Sequence, residues 1–146
     1  MDPKIEQFVQ EKRVAVAGVS RSGKKFGNTV AAELKQRGYQ VFIVHPEAKE
    51  IDGDVCYPNL AALQGKVDSV VICVSPRQAA SVIRDAAAAG ITKVWLQQGA
   101  QSNEALAAAK EAGVTPITGK CILMYAPPVK SIHGFHRTIN KIFGQL

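Results

Sequence analysis

Short apolar runs rich in β-branched residues alternate along this chain with alanine-rich stretches of helical spacing. Residues 13–19 (RVAVAGV), 40–44 (QVFIV), 67–74 (VDSVVICV), 93–97 (KVWLQ) and 114–117 (VTPI) read as strands. A helix is predicted over 28–37, with Asn28 as its N-cap and Gly38 placed to close it in a left-handed conformation. A second runs from 76 to about 89, where Ser75, Pro76 and Gln78 have capping-box spacing and Gly90 follows. A third covers 103–112, ahead of Gly113. Between Pro46 and Pro58 lies an excursion with a turn at Ile51-Asp52-Gly53-Asp54 and a short strand over 55–57. A short helix over 59–64 then ends at Gly65. Past Cys121 the pattern is less regular. Pro127-Pro128 interrupts it, and 138–143 reads as a short terminal helix.

Continuous apolar strands require cover on both sheet faces, and strands alternating with helices require parallel connections. The expected fold is therefore α/β: a Rossmann-like, doubly wound parallel sheet of about five strands with helices on both faces. Residues 1–125 form the domain in this reading, and 126–146 a basic extension on or beside it. At 146 residues, 47% hydrophobic and 21% charged, the composition is globular. No apolar run approaches the roughly 18 residues of a membrane helix. No apolar signal region follows Met1-Asp2-Pro3-Lys4, and Cys56, Cys73 and Cys121 lack disulfide-framework or zinc-site spacing. The expectation is a cytoplasmic protein that needs no membrane.

The net charge of +6, from 18 basic and 12 acidic residues, favours anionic partners. Only 6% of residues are aromatic and long basic runs are lacking, which argues against nucleic acid. In an open parallel sheet, ligands bind beyond the carboxyl ends of the strands. Those ends are Gly18 to Gly23, His45-Pro46, Ser75-Pro76-Arg77, Gln97-Gln98-Gly99 and Thr118 to Cys121. The first carries the most chemistry. Its glycines allow close approach of main-chain amides to a phosphate, Ser20 and Ser22 offer hydroxyls, and Arg21, Lys24 and Lys25 offer charge. Gly18 and Gly23-Lys24 have P-loop spacing, but Lys25 stands where a magnesium-binding Ser or Thr is needed. The dinucleotide fingerprint fits only with Ser20 in place of its middle glycine. The second strand ends in His45-Pro46 rather than a ribose-binding carboxylate, which disfavours NAD. A nucleotide with a ribose phosphate, such as coenzyme A (CoA), meets no repulsion from His45 or Lys49, and NADP stays open.

The ordered set Val14-Ala15-Val16-Ala17-Gly18-Val19-Ser20, Lys25-Phe26-Gly27-Asn28, Gly38-Tyr39-Gln40-Val41, His45-Pro46, Ile51-Asp52-Gly53, Val94-Trp95-Leu96-Gln97-Gln98-Gly99 and Cys121 resembles the small stand-alone CoA-binding domain proteins. Their fold is similar to the N-terminal domain of the succinyl-CoA synthetase α-subunit. The resemblance implies that Gly18, Val19, Ser20, Arg21, Lys25, Phe26, Gly27 and Asn28 hold the CoA phosphates. It puts His45 and Pro46 near the adenosine, Val74, Ser75 and Pro76 along the nucleotide, and Gln98 and Gly99 on the pantetheine side, with Cys121 near the same edge. His45 replaces the family's usual Asn, and Tyr125 stands where many relatives carry an acid.

A reaction centre is harder to find. His133 and His136 share helical spacing but lack a third metal ligand, and no paired carboxylates or Ser-His-Asp set stands out. Cys121, next to Lys120, is the candidate reactive thiol; Cys73 and Trp95 read as core. The expected function is binding of CoA or acyl-CoA without a catalytic centre. The alternatives are an NADP-type oxidoreductase and a thiol-dependent acyl transfer at Cys121. A protein partner for the basic tail, or a homo-oligomer, is left open.

Overall fold

The computed structural model describes residues 2–128. Helix α1 (Pro3–Gln10) opens it. The Asp2 carboxylate accepts the Lys4 amide at 2.8 Å, Pro3 occupies the first turn, and Ile5, Phe8 and Val9 form the buried stripe. The pattern reading above contains no such helix, although Asp2-Pro3 and the 5, 8, 9 spacing are its signals.

Strand β1 (Arg13–Ala17) is followed by α2 (Phe26–Gln36) and β2 (Gln40–Val44). A small hairpin, β3 (Glu50–Ile51) and β4 (Asp54–Tyr57), leads into a 3-10 turn at Leu60–Leu63 that Asn59 caps by accepting the Ala62 amide. Then come β5 (Ser69–Ile72), α3 (Pro76–Ala88), β6 (Lys93–Leu96), α4 (Asn103–Glu111) and a 3-10 turn at Ile122–Met124. The sheet order is β3-β4-β2-β1-β5-β6. The five strands from β4 to β6 are mutually parallel and β3 is antiparallel. The fold is thus α/β and Rossmann-like, as the apolar runs require.

Three expectations are corrected. The fifth parallel strand is β4, not 114–117, where Thr115-Pro116 limits pairing to a bridge between Trp95 and Ile117. Helix α2 begins at Phe26 with Lys25 as cap, so Asn28 lies inside its first turn. Ser75 does cap α3, but its hydroxyl meets the Gln78 side chain at 3.3 Å rather than a helix amide, and the capping box does not close. The predicted helix over 138–143 lies outside the described residues, as do His133 and His136.

Two cores cover the sheet. On one face α3, α4 and the Leu60 turn bury Val70, Ile72, Val94 and Leu96. On the other, α1 and α2 bury Val14, Val16, Val71 and Trp95. Trp95 is fully buried, with Phe8 edge-on at 5.3 Å and Tyr125 at 5.8 Å, and its indole N–H donates to the Lys120 carbonyl at 3.0 Å. The chain leaves β1 for β2 on one side and returns to β5 on the other. The switch in strand order therefore falls between the ends of β1 and β5.

Candidate functional site

At that switch the backbone is packed without side chains. Gly18, with φ +104°, sits against the Cys73 carbonyl, and Gly27 sits against the Gly18 carbonyl. This brings the start of α2 down onto the loop that leaves β1. The loop is tied internally. Asn28 accepts the Ser20 amide through Oδ1 at 2.9 Å and donates Nδ2 to the Ser20 carbonyl at 2.9 Å. The Ser20 hydroxyl lies 3.0 Å from that of Ser22, and the Gly23 amide donates to the Ser20 carbonyl at 3.2 Å. The Ser20 amide is therefore already engaged. The Asn28 amide donates to the Lys25 carbonyl at 3.0 Å, which leaves the Phe26 and Gly27 amides at the start of α2, and the neighbouring cations, as donors on this side of the loop.

A cleft of about 550 Å³ opens over the switch, within the range of about 300–1,000 Å³ usual for small-molecule sites. Gly18, Val19, Ser20, Lys25, His45, Pro46 and Val74 line it, which brings together seven of the residues singled out above. Arg77, from the third of the strand ends named above, opens its other wall, and the rest of that wall was not foreseen. Gln78, Ser81, Val82 and Asp85 come from α3, and Pro58, Asn59 and Leu60 from the turn after β4. The 78, 81, 82, 85 spacing of one helix face was the available signal.

His45 accepts the amides of Glu47 and Ala48 on Nδ1, at 3.1 and 2.9 Å. An Asn side chain makes the same kind of turn contact, so the ring of His45 closes the turn after β2 through Nδ1. Arg21 leaves the cleft and pairs with Glu47 at 3.8 Å, both largely exposed. Ser75 and Pro76 start α3 and line neither this cleft nor the groove beside it; the Pro76 carbonyl accepts the Ser102 hydroxyl. Gly27 and Asn28 support the loop from beneath.

Val74 also belongs to an adjoining groove of about 140 Å³, lined by Phe26, Cys73, Gln97, Gln98 and Gly99. Phe26 is half exposed at its mouth. Behind it the buried Gln97 donates Nε2 to Cys121 Sγ at 3.0 Å and accepts the Ile122 amide at 3.1 Å. Cys121 thus sits one side chain behind the groove rather than in its wall. Burial, with Cys121 nearby, pushes the Cys73 thiol up to about 12. The three cysteines are free. Among the described residues no three His, Cys, Asp or Glu side chains could jointly hold a metal, and no helix is long and apolar enough to cross a membrane.

An open cleft at the switch point of a Rossmann-like sheet is the place where α/β folds of this kind hold ligands. The chain belongs to the CoA-binding domain family, whose model matches residues 12–127. Among curated proteins it is similar to the uncharacterized protein YneT of Bacillus subtilis, 29% identical over 119 residues that cover 81% of this chain and 88% of YneT. It is also 32% identical to acetate–CoA ligase [ADP-forming] II of Archaeoglobus fulgidus over 91 residues, 61% of this chain but only 14% of that enzyme. A hypothetical protein from Pyrococcus horikoshii has a similar solved structure, with a TM-score of 0.76, 28% identity, and coverage of 84% of this chain and 87% of that one.

Proposed function

We propose that this protein binds CoA or an acyl-CoA in the cleft at the β1–β5 switch. The nucleotide would occupy the larger cavity and the pantetheine arm would pass Val74 into the groove beneath Phe26, toward Gln98 and Gly99. The phosphates would meet Lys25, Arg77 and the start of α2. The observation that carries the reading is a cation-lined cleft beside a narrow groove, with Val74 in the wall of both, in a chain of the CoA-binding domain family. That shape suits a ligand with a wide anionic head and a thin, uncharged arm. The ligand is held, in this reading, rather than transformed, and free thiols suit the reducing cytoplasm.

Isothermal titration with CoA, NAD⁺, NADP⁺ and ATP tests it. CoA is expected to bind tightest, and removal of its pantetheine arm to weaken binding. Preference for NADP⁺ with no response to CoA would overturn the proposal.

A further inference from the structure

One charge in the cleft does not suit a polyanion. Asp85 lines the same cavity as Lys25 and Arg77 and makes no ion pair among the described residues. It lies eight residues beyond Arg77 on α3, about 12 Å along the helix at ~1.5 Å per residue. That exceeds the Debye length of roughly 8 Å at physiological salt, so along the α3 wall the cation at Arg77 and the acid at Asp85 are separate positions. A carboxylate at the far end from the phosphates stabilises a ligand only if it meets a hydrogen-bond donor there.

We propose that Asp85 reads the purine base, accepting the exocyclic amine of an adenine ring that lies between Val82 on α3 and the Pro46 and Pro58 side of the cleft. The geometry supports this. Gln78, Ser81 and Asp85 follow one another at helical spacing along the wall and give it polar groups over two turns. Facing them, Pro46, Pro58 and Leu60 give an apolar surface for a flat ring. Adenine presents an amino donor where hypoxanthine and guanine present a carbonyl acceptor. On the ring edge that carries N7, where hypoxanthine and guanine hold no other donor, a carboxylate accepts from the first and repels the second. The selected class is an adenine nucleotide carrying phosphates at the opposite end. The inference rests on the nucleotide-binding reading above and adds the group that chooses the base.

The test compares adenosine 3′,5′-bisphosphate with inosine 3′,5′-bisphosphate by isothermal titration, with CoA in parallel. The wild-type protein is expected to bind the adenine compound about tenfold tighter, the scale of one hydrogen-bond mismatch at a partly exposed site. Asp85→Asn, which can donate as well as accept, and Asp85→Ala are expected to bring the ratio to within about threefold, mainly by weakening the adenine compound. A wild-type ratio below about two, or a wild-type ratio kept in both variants, overturns the assignment. The wild-type ratio decides even if a variant folds poorly. If CoA binds but the bases are not distinguished, only this inference falls. If CoA and both bisphosphates fail to bind, the CoA reading falls with it.

Discussion

The α-carbon of Gly27 rests directly on the carbonyl of Gly18: a methyl group built on Gly27 would lie 2.3 Å from that oxygen. Gly18 is confined in turn, since a methyl there would lie 2.5 Å from the Cys73 carbonyl carbon. The end of β1, the start of α2 and the end of β5 are thus stacked backbone to backbone. Gly27→Ala must push α2 away from the loop. It is expected to lower stability by about 1–3 kcal/mol, the usual cost of overpacking, in urea unfolding. CoA affinity should fall with it, because the first-turn amides move with the helix.

Asn28 is the second fastening of that loop. Asn28→Ala removes both contacts with the Ser20 backbone and should cost about 1–3 kcal/mol, since a part-buried amide loses its acceptor. Asn28→Asp keeps an acceptor for the Ser20 amide and adds a negative charge beneath the loop proposed to meet the phosphates. It should cost less stability than alanine yet weaken CoA about tenfold or more. Calorimetry and urea titration on the same samples separate the two effects. Equal losses of binding and stability in both variants would refute the role given to the loop.

The cations should act through charge. Lys24→Glu with Lys25→Glu is expected to weaken CoA binding by about 1–3 kcal/mol, the scale of lost charge-assisted hydrogen bonds. Lys25 lines the cleft, and Lys24 is its neighbour in the loop. Binding to the double variant should also depend less on salt. An unchanged affinity would place the phosphates elsewhere.

The thiols should differ in alkylation. With its thiol near 12, Cys73 carries about one part in ten thousand of thiolate at pH 8 and should label slowly whether or not CoA is present. Cys121, behind the groove with Gln97 donating to it, is expected to label in the free protein and to be protected by CoA. Peptide mapping after brief maleimide treatment reads both sites. Unchanged labelling of Cys121 on addition of CoA would misplace the pantetheine arm.

Alkali should unfold the protein through two buried acids. Burial raises the Tyr39 phenol to about 12, like the Cys73 thiol, and its hydroxyl donates to the Val9 carbonyl at 2.5 Å. Both groups favour the protonated, folded form. Their contribution is complete below the unfolded values of roughly 8.5 and 10 and is lost progressively as pH climbs toward 12. Tyr39→Phe should lower neutral-pH stability by about 1 kcal/mol while flattening the alkaline decline. A parallel decline in the variant would show that Tyr39 takes no part.

The layering of the fold is legible because apolar strands buried on both faces leave a long-range mark in sequence: Val70 to Ile72 and Val94 to Leu96 announce themselves. The glycines and basic residues of the first loop are legible too, since few structures need them together. Less visible is anything decided by contact between distant segments. Asn28 reads locally as a cap, yet it is recruited by Ser20, eight residues earlier. The stretch 114–117 has strand composition, but its proline limits the ladder, while the short, mixed segment at 54–57 takes the place beside β2. The α3 wall was missed because Gln78, Ser81 and Asp85 look like an ordinary solvated helix face until the turn at Pro58 comes opposite.

Arg37, at the far end of α2, donates to the carbonyls of Leu123 and Ala126 at 2.9 and 3.0 Å and is almost wholly buried. The helix whose first turn packs on the loop after β1 therefore has its far end anchored by chain nearly ninety positions later. Cutting the polypeptide just after Cys121 would take two carbonyl acceptors from a buried guanidinium and leave its contact with Glu33. The smallest fragment able to keep this scaffold must extend through Ala126, even though every residue touching the cleft comes before it.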